Sequence, residues 1–247
     1  NGFFLQSDDG LYRLRANGLL QPRFVFESSE TAPEPGEIGP SGVPADDATD
    51  REHDYAFSIP RAQIRLGGHA FSRSVRFFFQ TEFGSGNVFL KDGWIDAGLV
   101  PGRLHLKVGQ MKRPFSRQWL TSAACLETVE RALTHGAFTP GRDLGLMFHN
   151  RFLAAPRVEW ALGAFNGTGY RSWQDGQGRT NVPDRFKPTV VARLGYNHGG
   201  IHGYTEADLE GGGPRFAAAV SGLLELDADD DDSSGVRGEA DLTFKAH

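Results

Sequence analysis

Arginine recurs in phase along the first quarter of the chain, at Arg13, Arg15 and Arg23 and again at Arg61 and Arg65. A guanidinium fork grips phosphate or carboxylate oxygens bidentately and stays charged at any biological pH. A succession of such forks lets an anion trade its hydration shell for transient contacts without being trapped, which conduction requires. Arg76, Lys107 and Arg193 fall on the same face of later segments, as do Arg237 and Lys245. That face also collects Glu82, Asp92, Asp96, Glu159, Glu239 and Asp241, so ten cations share it with six carboxylates. Over the first three segments the ratio is six to one. Two roles are open to these cations: an anion path, or pairing with the opposing carboxylates to stiffen a wall.

Strict alternation is what keeps the cations together. Leu14, Leu20, Phe24 and Phe26 interleave with Arg13, Arg15, Gln21 and Arg23, and Ile64 and Leu66 oppose Arg61, Gln63, Arg65 and His69. Side chains on a strand alternate faces with a period of two, so each segment is oily on one side and polar on the other. A soluble sandwich would bury the oily side and leave arginines in water. A transmembrane barrel turns it to lipid and points the arginines into a lumen. We expect the second: an all-β antiparallel barrel forming a single domain over 1–247.

Ten strands are predicted, at roughly 12–26, 57–71, 75–84, 88–99, 103–112, 143–151, 157–166, 187–197, 215–226 and 235–246, each bounded by Gly, Pro, Asp or Asn. Leu120 to Leu133 favours helix by propensity. Long links alternate with short turns, with 198–214 breaking the rule on the short side, which matches long external loops and short periplasmic turns. The stretch 27–56 and the acidic stretch 227–235 are expected as extracellular loops. The link 113–142 is too long for an ordinary connection. It is also too apolar for a solvated one (Phe115, Trp119, Leu120, Leu126, Val129, Leu133, Phe138), so a loop folded into the lumen is expected. Lys112, Arg113, Arg117, Arg131 and Arg142 are the cations that such a constriction would present.

Composition narrows the field further. No run approaches the ~18 apolar residues of a membrane helix, which leaves a barrel untouched. The net charge of −5 hides an asymmetry: residues 200–247 hold 11 acids against Arg215, Arg237 and Lys245, leaving 23 bases against 20 acids before them. The single Cys125 cannot form an internal disulfide. Asn1 opens without a charged-then-apolar leader, as in a mature form or an unexported chain. The run Asp227 to Asp232 fails as an EF-hand loop, because counting from Asp227 the sixth position is Asp232 and the twelfth Gly238. A solvated loop tip is expected there. His69 and His105 have no neighbours at metal-ligand spacing and read as wall residues. HExxH, GxSxG and CxxC are absent, so neither an enzyme nor a cofactor is expected.

At LKDGWIDAGLVPGRLHLKVGQMKRPFS (90–116) and ETVERAL…GRDLGLMF (127–148) the chain resembles the phosphate-selective porin O and P family. Its members share an LKDAYLDY-like strand, an LPG-like turn, a VGQFKEPFS-like strand end and a later ERS…GRDLG segment. SIPRAQIRLGG (58–68) is similar to the family's FRRARLGLEG-like strand and places Arg61 at its arginine position. The likeness spans roughly residues 10–247. It implies an outer-membrane barrel of about 16 strands, usually a homotrimer, passing phosphate or polyphosphate through an arginine-lined lumen. Lipid and lipopolysaccharide are its implied surroundings, and no nucleic acid is expected.

Ten strands and acidic late segments depart from that pattern. An unpaired strand edge in lipid costs several kcal/mol per group, so the chain is expected to be the N-terminal two-thirds of a larger barrel. The rival readings are a structural or surface-binding barrel with a plugged lumen, and a soluble β-sandwich that binds polyanions.

Overall fold

The computed structural model describes residues 3–31, 50–84, 88–132, 138–167, 188–208, 211–226 and 235–246. Eleven strands form one antiparallel sheet in the order of the sequence: β1 (Phe3–Gln6), β2 (Arg13–Thr31), β3 (Asp50–Ala70), β4 (Ser72–Glu82), β5 (Phe89–Val100), β6 (Leu104–Lys112), β7 (Arg142–His149), β8 (Val158–Phe165), β9 (Thr189–His198), β10 (Arg215–Glu225) and β11 (Val236–Lys245). Ten of these are the predicted strands. The eleventh, β1, pairs with β2 in a register that sets Phe3 opposite Ala16 and Gln6 opposite Arg13. Four residues are too few to display a period, which is why alternation does not reveal it.

The strands β9 to β11 hold 10 or 11 residues each, the length a tilted strand needs to cross a bilayer. β2 and β3 are longer, at 19 and 21 residues. They run to Thr31 and from Asp50, so both ends of the expected loop 27–56 are strand. The acidic run Asp227 to Asp232 lies outside the described residues.

Two compact units divide the chain. The smaller comprises Gly18–Gln63 and Glu82–Phe89. Leu20, Phe24, Phe26, Tyr55, Phe57 and Ile59 are exposed on one face of it, with Phe24 and Phe57 rings 5.0 Å apart. The other face is polar: Arg61 donates to Gln21 Oε1 at 2.6 Å, Arg23 to Ser58 Oγ at 3.4 Å and Gln63 to Glu82 Oε2 at 2.8 Å. Along β3 the exposed apolar set moves from odd positions (Tyr55, Phe57, Ile59) to even ones (Ile64, Leu66). One extra residue in a strand has that effect, and Pro60, which cannot donate to a ladder, sits at the change.

The larger unit comprises Asn1–Asn17, Ile64–Thr81 and Leu90–His247. One face of its strands is exposed and apolar: Ile95, Val108, Leu162, Leu194, Val220 and Leu242 are each about half exposed or more. The opposite face is buried and mixed, carrying Asp96, Lys107, Asp143, Glu159 and Arg193 beside Met147, Val191 and Leu223. No second sheet is present among the described residues. The cover comes from the unit's own links, since Phe115 and Leu120 after β6, Phe152 after β7 and Tyr204 after β9 complete one apolar cluster with Met111, Met147 and Val191.

Gly109 allows β5 and β6 to close on each other. Its φ is +126°, and a Cβ there would lie 2.2 Å from the Gly93 carbonyl oxygen, so only glycine fits.

Candidate functional site

The link after β6 departs from the helix predicted over Leu120 to Leu133. A four-residue helix, α1 (Arg117–Leu120), is followed by extended chain at Thr121 and Ser122 and a single 3₁₀ turn at Ala123–Cys125. Cations take the carbonyls that a longer helix would use. Lys112 Nζ donates to the carbonyls of Trp119, Leu120 and Thr121 at 2.6, 3.2 and 3.1 Å. Arg131 donates to those of Gln118 and Thr121 at 3.1 and 2.7 Å. Positive charge at a helix C-terminus is favourable, and here it ends the helix. The Trp119 ring lies between Lys112, Arg131 and Arg142, each within 5.6 Å of its centroid. Arg142 also binds Asp92 Oδ2 through Nε at 3.1 Å and Nη2 at 3.0 Å.

Arg113 and Arg117 attach this link to the sheet. Arg113 Nη2 meets Asp143 Oδ2 at 2.7 Å. Burial lowers the Arg113 pKa, and the Asp143 charge opposes the shift. Arg117 donates to Asn197 Oδ1 at 3.1 Å, lies 3.7 Å from Glu159 and 3.4 Å from Asp241, and stacks 4.0 Å over the Tyr204 ring. The same acids hold Arg193, whose nitrogens reach Glu159 at 3.2 Å, Tyr204 Oη at 3.0 Å, Ser221 Oγ at 2.9 Å and Asp241 at 2.7 Å. Two guanidiniums and two carboxylates balance in this cluster. The Tyr204 phenol donates to Glu159 Oε1, and burial pushes its pKa up, so it stays protonated.

Tyr204 belongs to the link after β9, within the stretch 198–214 that broke the alternation of long and short. It folds back onto the link after β6: Glu206 N–H donates to the Cys125 carbonyl at 3.0 Å, and the Glu206 carboxylate accepts from Glu127 N–H at 2.9 Å. Lys245 reaches the same segment, donating to Thr205 Oγ1 and the Ala207 carbonyl, each at 2.8 Å.

A second charged group sits where β4 to β7 adjoin. Arg76 Nη2 meets Asp96 Oδ2 at 2.7 Å, while His105 Nδ1 and His149 Nε2 approach the same carboxylate at 3.1 and 3.4 Å. Lys107 packs over the Trp94 ring at 4.2 Å.

The remaining predicted cations are less enclosed. Arg15 is exposed, and Arg13 is half-buried with its guanidinium 4.5 Å over the Phe4 ring. Arg23, Arg61 and Arg65 are half-buried. The structure thus joins Lys112, Arg131 and Arg142 around Trp119, and Arg117 with Arg193. Spacing along one strand cannot reveal Tyr204, Asn197 and Ser221 as partners, because they come from a link and from two other positions of the sheet.

The model of the family described as phosphate-selective porin O and P matches residues 41–203, which is 163 of the 247 residues. The chain belongs to the phosphate-selective porin O and P family. All three segments that carried the resemblance, 58–68, 90–116 and 127–148, lie inside the matched span. The porin O and P match embraces the links that bear Arg113, Arg117 and Phe152 and stops one residue short of Tyr204. A porin family is one of channels rather than of enzymes, and the all-β architecture agrees with it. None of the curated proteins matched the chain.

Proposed function

We propose that the protein is an outer-membrane porin for passive diffusion of small anions, phosphate and polyphosphate among them, along a wall of arginine and lysine side chains. The observation that carries this reading is the division of one sheet into an exposed apolar face and a charged opposite face, with no second sheet among the described residues to cover the first. Lipid is the solvent that such a stripe fits. Arg13, Arg15, Arg23, Arg61 and Arg65 are the pathway residues, supported by their accessibility, and Arg76 and Lys107 extend the path. Arg193 serves as a brace, because its side chain is fully buried among acceptors. The link 113–142 is the constriction, tied to the strands by Arg113 and Arg117 and drawn together around Trp119 by Lys112, Arg131 and Arg142. Homotrimers set in lipid and lipopolysaccharide are the assembly this reading entails.

Planar-bilayer recording tests it. Steady single-channel current with anion over cation permeability is expected under a salt gradient. Reversing charge at Arg15, Arg61 and Arg65 together should shift the reversal potential toward cations, and an unchanged potential removes them from the path. The plugged-barrel rival is favoured by the apolar cluster of Phe115, Phe152 and Tyr204 over the polar face. It requires that no current be seen at all.

A further inference from the structure

Lys107 is only 6% exposed, and its ammonium lies over the Trp94 ring without a hydrogen bond or ion pair to another side chain among the described residues. Withdrawing an ammonium from water without a direct acceptor is costly. The ring quadrupole offsets only part of that cost. Next to Lys107 is a cavity of about 240 Å³ within the larger unit, and Arg76, Trp94, Arg151, Phe152 and Leu153 share its lining.

The charges around this cavity do not balance. Asp96 is its one carboxylate, and Arg76, His105 and His149 already surround it. The His149 ring does not alter that count: Nδ1 accepts the Arg151 backbone N–H at 2.9 Å, which leaves one ring proton, on Nε2 toward Asp96, and a neutral imidazole. Lys107 and Arg151 therefore face the cavity with no carboxylate in ion-pair contact among the described residues. The rest of the lining is apolar, from Trp94 on one side and from Phe152, Leu153 and Ala154 on the other. Those last three residues form a 3₁₀ turn flanked by Arg151 (φ 63°) and Ala155 (φ 51°), both non-glycine residues in the left-handed region. Such conformations persist only where surrounding contacts enforce them, and they gather at ligand sites.

We infer that this cavity binds a small organic carboxylate, its charged end on Lys107 and Arg151 and its hydrocarbon or aromatic body between Trp94 and the Phe152–Ala154 turn. Bare phosphate suits the site poorly, because two of its oxygens would face aromatic carbon without donors. The inference rests on the porin reading only for the ligand's route of access; the site itself is defined by the larger unit.

Calorimetric titration of the whole protein in detergent tests it, with benzoate, its neutral isostere benzamide, and inorganic phosphate as probes. Benzoate should bind saturably, benzamide about tenfold more weakly or worse, and Lys107→Met and Arg151→Asn should each weaken benzoate about tenfold. Arg151 is exposed, and asparagine tolerates its backbone conformation, so that variant decides the matter if Lys107→Met does not fold. Absence of benzoate binding overturns the inference. So does benzoate binding that both variants leave intact, or phosphate that displaces benzoate at equal concentration. Conductance is read separately: anion current without benzoate binding sinks this site and leaves the porin reading, and benzoate binding without current does the reverse.

Discussion

Arg193 donates to Glu159, Tyr204, Ser221 and Asp241 from a position with no exposed side-chain surface. Its removal would leave the Glu159 and Asp241 carboxylates with Arg117 as the remaining nearby cation, at 3.7 and 3.4 Å. Truncating one partner of a buried charge pair costs ~3–5 kcal/mol, whereas replacing both by apolar residues is often neutral. Arg193→Met is therefore expected to lower the unfolding free energy of the protein in detergent by that amount, read from urea unfolding, and adding Glu159→Leu to recover part of it. Tyr204 supplies a pH dependence. Its pKa is raised above the ordinary 10.0 by burial, so the folded state holds the phenol proton more tightly than the unfolded chain does. That stability is complete below about pH 10 and is lost as pH rises toward the folded value. Melting temperatures of wild type and Tyr204→Phe between pH 8 and about 12 should converge at the alkaline end. Parallel curves would show that the phenol proton is not linked to folding.

At the scale of the element, the link after β6 is shaped by cations acting on backbone carbonyls. Helix propensity loses here because Lys112 and Arg131 occupy the carbonyls of residues 118–121, and the chain turns extended at Thr121. Hydrogen bonds from a charged donor contribute ~1.5–3 kcal/mol each. Lys112→Met is expected to speed limited tryptic cleavage at Arg131 at least ~tenfold while leaving the strands protected. Equal cleavage rates would mean that Arg131 and the Trp119 contacts hold the link without Lys112.

Over the whole molecule, the exposed stripe of Ile95, Val108, Leu162, Leu194 and Val220 is the surface that meets lipid in the proposed porin. An arginine near the bilayer midplane of a barrel's outer face costs ~2–4 kcal/mol. Leu194→Arg should therefore lower stability in lipid vesicles by that amount, read from urea unfolding, with Leu194→Ala costing much less. A neutral Leu194→Arg would place the stripe in water and restore the soluble rival. Alternation displayed this stripe plainly, strand by strand. It could not display β1, too short to show a period, nor the change of parity near Pro60, which needs the exposures on both sides of it.

The sequence by itself determined which side chains share a face, because a period of two is a property of the extended backbone alone. From that followed the all-β sheet and the oily stripe, while the family came from the likeness of segments 58–68, 90–116 and 127–148 to its strands. Whether a given cation is accessible or occupied was decided only in three dimensions. Arg117 and Arg193 find partners 80 and 34 positions away, on strands and links that pairing brings together. Spacing along one strand carries no information about such neighbours, since the free energy of burying a charge depends on what the rest of the chain sets beside it.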